Sequence, residues 1–130
     1  MKDKATNYEH KVIDASIGYF RFFKDSTWED YQAGLDDLMK IISDPNTTSL
    51  VVRNDHDGKW DKKIEDIWIE TGKMLDKYGI GKWGVVVSNS IIREMTMKRV
   101  LKQGKSLYQP KYEYFIDKSE ERVLNWINGA

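Results

Sequence analysis

The chain reads as an α/β domain with a mixed, mainly parallel sheet of about five strands, an N-terminal antiparallel hairpin and about four helices, in the order ββαβαβαβα. Three observations predict this. Short runs rich in β-branched and aromatic residues alternate with longer segments whose apolar residues recur at helical spacing. The helical segments open on Ser, Thr, Asp or Asn and close on Gly or Pro. No repeat, low-complexity tract or linker divides the 130 residues, so they are expected to form one domain.

Tyr8 to Ser16 alternates loosely, with His10, Val12 and Asp14 on one face, and Ile17 to Lys24 carries Tyr19, Phe20, Phe22 and Phe23. Gly18, near their junction, suits a tight turn, and the pair reads as a hairpin. A first helix follows, capped by Ser26 or Thr27, with Glu29 and Asp30 where the helix dipole favours negative charge. Tyr31, Leu35, Leu38, Met39 and Ile42 form its apolar stripe, and Asp44-Pro45-Asn46 ends it. Ser49 to Val52 is a short buried strand. The turn cluster Asn54 to Gly58 leads to a second helix from about Asp61, with Ile64, Ile67, Trp68, Thr71, Leu75 and Tyr78 inward and Gly79 as its stop. Lys82 to Val87 is the next strand. Ser88-Asn89-Ser90 caps a third helix, Ile91 to Gln103, which Gly104 ends. Tyr112 to Ile116 is the last strand. Asp117 or Ser119 caps a fourth helix in which Val123, Trp126 and Ile127 pack inward.

Composition excludes several classes. With no cysteine there is no disulfide, thiolate or cysteine-zinc chemistry. Lys+Arg and Asp+Glu both number 21, so no net charge draws the chain to nucleic acid or an anionic membrane. No apolar run approaches the ~20 residues that span a bilayer, so integral membrane association is not expected. Met1 to Asn7 lacks the apolar stretch of a signal peptide, which makes the cytoplasm the expected location.

Open α/β sheets bind ligands beyond the carboxyl ends of their parallel strands. Three loops qualify: Asn54 to Trp60, Ser88 to Ser90, and Asp117 to Ser119. Each opens a helix, so free backbone N–H groups face that edge, although the same residues serve as ordinary caps. Asp55, His56, Asp57 and Lys59 stand together in the first loop. Two carboxylates and an imidazole can hold a divalent cation. An aspartate after a buried strand, with Asp57 and Gly58 behind it and Ser88 after the next strand, is similar to the phosphoryl-transfer motif of haloacid-dehalogenase-like phosphatases. Lys59 then replaces the Thr or Val of that motif, and no acidic pair follows a later strand. An EF-hand register places Arg53 first and Ile64 last, and neither can ligate calcium. A solvated turn explains the same residues. Ser88, His56 and Asp117 make a conceivable triad, but no nucleophile elbow surrounds Ser88. Gly79-Ile80-Gly81 precedes a strand and is no phosphate loop. No catalytic set and no cofactor is therefore expected.

Charge is uneven along the chain. Arg93, Lys98, Arg99, Lys102, Lys105 and Lys111 stand against Glu94 alone, and Met95, Met97, Val100 and Leu101 make that helix amphipathic. The basic face can dock an acidic protein partner, a phospholipid head group or nucleic acid, or simply be solvated. Ser88, Asn89, Ser90, Arg93, Lys98, Arg99 and Lys102, with the Asp55 loop, are thus the candidate contact residues.

The run Tyr112-Glu113-Tyr114-Phe115-Ile116-Asp117-Lys118-Ser119-Glu120-Glu121-Arg122-Val123-Leu124-Asn125-Trp126-Ile127 combines an aromatic strand, an acidic cap and a short helix with a tryptophan. With the order of elements, it resembles the bacterial STAS/Sec14-like domains, relatives of the anti-sigma factor antagonists. The resemblance implies a small non-catalytic module that binds a protein or a ligand, such as a small molecule or lipid. With the uneven charge, the expected role is a regulatory module that binds a protein partner and can self-associate as a homodimer. In the antagonist branch, a serine at the start of the helix after the third strand is phosphorylated. Asn54 to Gly58 contains no Ser or Thr, so that switch is not carried over; Asp55 and Asp57 would stand as fixed charges in its place.

Overall fold

The computed structural model describes residues 7–56, 62–87, 91–107 and 112–129, with backbone alone over 104–107. Two strands open the chain, β1 (Tyr8–Ile13) and β2 (Ile17–Phe22), paired antiparallel from Tyr8↔Phe22 to Ile13↔Ile17. Their turn is Asp14 and Ala15, both at positive φ (52° and 61°), with Ser16 N–H donating to Ile13 O at 3.1 Å. Two successive left-handed residues suit the twist of a tight hairpin. Gly18 is not the turn residue predicted, and Asp14 is in the turn rather than on a strand face. Gly18 lies inside β2, where an added Cβ would sit 2.9 Å from Ile41 Cγ2, so its role is close approach of helix to sheet.

Helix α1 (Trp28–Ile42) is capped by Thr27, not Ser26. Thr27 Oγ1 accepts from Asp30 N at 3.2 Å and Asp30 Oδ2 accepts from Thr27 N at 2.8 Å, a reciprocal box that satisfies two otherwise free donors. Strand β3 (Ser49–Asn54) runs two residues beyond the predicted end. Helix α2 (Lys62–Lys77) is followed by Gly79 at φ 74°, the conformation glycine supplies after a helix. Strand β4 (Lys82–Val87) leads to α3 (Ile91–Leu107), which continues through Gly104 instead of ending there; one glycine costs a helix only about 1 kcal/mol. Strand β5 (Glu113–Asp117) and helix α4 (Glu120–Ile127), capped by Ser119, close the chain.

The sheet order is β1-β2-β3-β4-β5, with every pair after the hairpin parallel. Each crossover therefore steps one strand in the same direction, and crossovers of one hand put their helices on one face. That face holds the larger core: Phe20, Leu50, Val52, Trp83 and Val85 from the strands meet Tyr31, Leu38, Trp68, Leu75 and Val100 from α1, α2 and α3. Met39, predicted to lie on the stripe of α1, is 43 % exposed. Helix α4 is not a crossover and folds onto the opposite face, where Val123 and Ile127 cover Ile17, Tyr19, Val51 and Val86. Gly84 permits this: a Cβ there would lie 2.2 Å from Val123 Cγ1. Lys82 Nζ caps the far end of α4 through Trp126 O (3.1 Å) and Ile127 O (3.3 Å). No described helix is long and apolar enough to cross a membrane.

Candidate functional site

The carboxyl edge of the parallel strands is built at Asn54, Asp55 and His56. Strand alternation sends neighbours to opposite faces, and that separates the predicted cluster. Asn54 is 1 % exposed and points into the helical layer, where its Oδ1 accepts from Tyr31 Oη at 2.7 Å and from His56 N at 3.2 Å. His56 is buried beside it, its ring meeting Tyr31 edge-on at 6.0 Å. Burial pushes the Tyr31 hydroxyl well above its usual range, partly offset by the Arg93 guanidinium and the Asn54 hydrogen bond.

Asp55 emerges on the other face. Arg21 Nε reaches its Oδ2 at 2.7 Å and Arg53 Nε reaches its Oδ1 at 3.0 Å. Arg53 Nη1 also reaches Glu120 Oε1 at 3.3 Å, and the same oxygen accepts from Tyr19 Oη at 2.7 Å. Both Asp55 oxygens are thus engaged by guanidinium groups on adjacent strands, an arrangement that compensates the charge and repels a cation. Among the described residues, no group of three or more His, Asp or Glu side chains is placed to hold a metal ion. Asp57, Lys59, Ser88, Asn89 and Ser90 lie outside the described residues.

The arginine network was missed in the sequence. Its signal was legible: Arg21 and Arg53 occupy matching positions in two apolar strands and pair directly across them in register. A cation inside such a strand requires a carboxylate partner or open solvent.

The outward side of α3 is the second candidate. Met97, Val100 and Leu101 are buried, as amphipathicity predicts, but Met95 is not with them. Ile91, Ile92 and Met95 are 69 %, 75 % and 65 % exposed. Ile91, Met95, Lys98 and Lys102 recur at one-turn and two-turn spacing, so they form one stripe, apolar at its start and cationic at its end. Arg93 is half-buried. Lys98 pairs with Glu94 at 3.0 Å. Arg99 grips Glu65 of α2 through Nη2 at 2.8 Å and Nη1 at 3.4 Å, so it ties two helices together. Lys102 is exposed.

Two cavities matter here. An apolar void of about 20 Å³ between sheet, α1 and α2, bordered by Phe20, Tyr31, Leu38 and Trp68, has room for about one water. An open groove of about 270 Å³ runs between α1 and α2, with Trp28, Leu35 and Ile67 along it and Asp66 and Glu70 at its edge. No protein-family model, no curated protein and no solved structure matches this chain.

Proposed function

We propose that the chain is a non-catalytic interaction module of STAS-like type that docks a protein partner through the outer face of α3. One observation carries this reading: Ile91 and Met95 stand mostly in solvent on a single helical stripe that continues into Lys98 and Lys102, with the exposed Ile92 beside them. Isolated exposed apolar residues are ordinary, but a contiguous cluster beside cations is the composition of a recognition surface. The C-terminal resemblance and the order of elements support the STAS-like part of the proposal. The arginine clamp on Asp55 speaks against a phosphoryl-transfer role for that carboxylate, since a magnesium ion would compete with two guanidinium groups for its oxygens. The void under α1 is too small for an acyl chain, which ranks lipid or small-molecule storage lower.

The test is affinity capture from native lysate with the wild-type chain and with an Ile92→Glu/Met95→Glu variant of unchanged circular dichroism. The expected result is a partner retained by the first and lost from the second. Equal recovery by both would sink the α3 surface as the docking face.

A further inference from the structure

The three crossover helices pack in the order α1, α2, α3, so the α3 stripe and the α1/α2 groove open on the same outer surface, with α2 between them. Their chemistries are complementary. The stripe offers Ile91 and Met95 and then cations, with Ile92 beside it. The groove offers an apolar floor of Trp28, Leu35 and Ile67 with carboxylates at its edge, and Lys63 is folded over the Trp28 ring at 5.0 Å. The exposed charges differ in sign: in α1 Glu29 and Asp36 stand against Lys40, Asp30 and Asp37 being bound to Asn7, Thr27 and Tyr8, whereas in α3 Lys98 and Lys102 stand against Glu94, Arg99 being bound to Glu65 of α2.

We infer that the chain forms a two-fold dimer through this outer surface, the α3 stripe of each copy seated in the α1/α2 groove of the other. The inference rests on the reading of α3 as a docking face and names its occupant as a second copy of the chain. Because stripe and groove flank α2 on one surface, a two-fold axis beside α2 satisfies both contacts at once and closes the assembly at two copies. Acidic α1 then faces basic α3 twice. A surface spanning three helices of 15, 16 and 17 residues is broad enough for a standard interface of about 800 Å² per partner.

The experiment is sedimentation equilibrium of the whole chain from low to high micromolar concentration, with two charge-reversed variants, Asp66→Lys/Glu70→Lys and Lys98→Glu/Lys102→Glu. All four sites are exposed, and circular dichroism verifies the fold of each variant. The wild type should dimerise reversibly. Each variant alone should weaken dimerisation at least tenfold, since like charges then meet twice in each homodimer. An equimolar mixture of the two should restore a heterodimer, since both contacts become complementary again. A wild type that stays monomeric, or a dimer indifferent to both reversals, overturns the inference. The proposed docking function is judged separately: a monomeric chain that still captures a partner through Ile92 and Met95 keeps that reading and loses this one. A dimer that forms here while capture is unchanged by the Ile92→Glu/Met95→Glu variant does the reverse.

Discussion

On one face of the sheet Trp83 has 0 % of its surface in water and stacks on Trp68 at 6.1 Å beneath the helical layer. On the other, Arg21 and Arg53 project from strands that also feed that core, with 34 % and 33 % of their side chains exposed. Three crossovers of one hand cover most of the first face, leaving His10 and Val12 of the edge strand β1 exposed. Among the described residues, the second face receives the eight residues of α4, which pack on β2, β3, β4 and β5. At the carboxyl ends of β2 and β3 that face therefore ends in a charged network, while Ile17 and Tyr19 of β2 still lie under α4. A sheet built by stepping in one direction has one face covered by its own connections. The other depends on whatever chain remains, and polar side chains solvate what α4 does not reach.

The contrast can be broken first at the tryptophans. Trp83→Ala should destabilise the chain by about 3–5 kcal/mol, as removal of a fully buried ring does. Trp126→Ala, which loses a half-buried stack on Phe115, should cost only about 1–2 kcal/mol. Urea midpoints with an unchanged slope check both. Equal losses would show that α4 packs as deeply as the helical layer.

Gly84 sharpens the comparison next. Gly84→Ala forces a methyl into Val123 and should cost about 1–3 kcal/mol by overpacking, felt as fraying of α4 in amide exchange before the helical layer opens. Protection lost in α1 at the same rate as in α4 would contradict the independence of the two faces.

The helix starts differ as well. Thr27→Ala breaks a two-way box and should cost about 1 kcal/mol; Ser119→Ala breaks a single 3.3 Å bond and should cost less. Burial alone would raise the Asp30 carboxyl, but donors from Thr27 and Asn7 outweigh it and hold the group below the usual carboxylate range. A depressed folded pKa gives stability that is present above the unfolded value of about 3.9 and lost as pH falls through the folded one. The gap between wild type and Asp30→Asn should therefore be full at pH 6 and shrink below about pH 4, read from urea midpoints across that range. A gap that widened on acidification would refute the assignment.

The smallest effect belongs to the arginine clamp. A double-mutant cycle on Arg53 and Asp55 should give a coupling below about 1 kcal/mol, because both groups are partly solvated, and it should fall further in high salt. A coupling of several kcal/mol would mean that this face is drier than its exposure indicates.

Periodicity alone determined the element order, the parallel pairing class, the inward stripes of α2 and α4, and the amphipathic nature of α3, because strand and helix repeats are local and each apolar face must be buried somewhere. It failed where two local signals competed. Gly18 looked like a turn, yet two left-handed residues at Asp14 and Ala15 make it; Gly104 looked like a stop, yet α3 continues. The candidate site was half legible. The basic content of α3 was visible, but which cations are already paired, and that Ile91, Ile92 and Met95 face water, follow only from where α2 lies. Asp55 and His56 are neighbours in sequence and look like one cluster. Only the sheet decides that they part, because successive side chains leave opposite faces, one toward Tyr31 in the core and the other toward Arg53 of its own strand and Arg21, brought in by a strand more than thirty residues away.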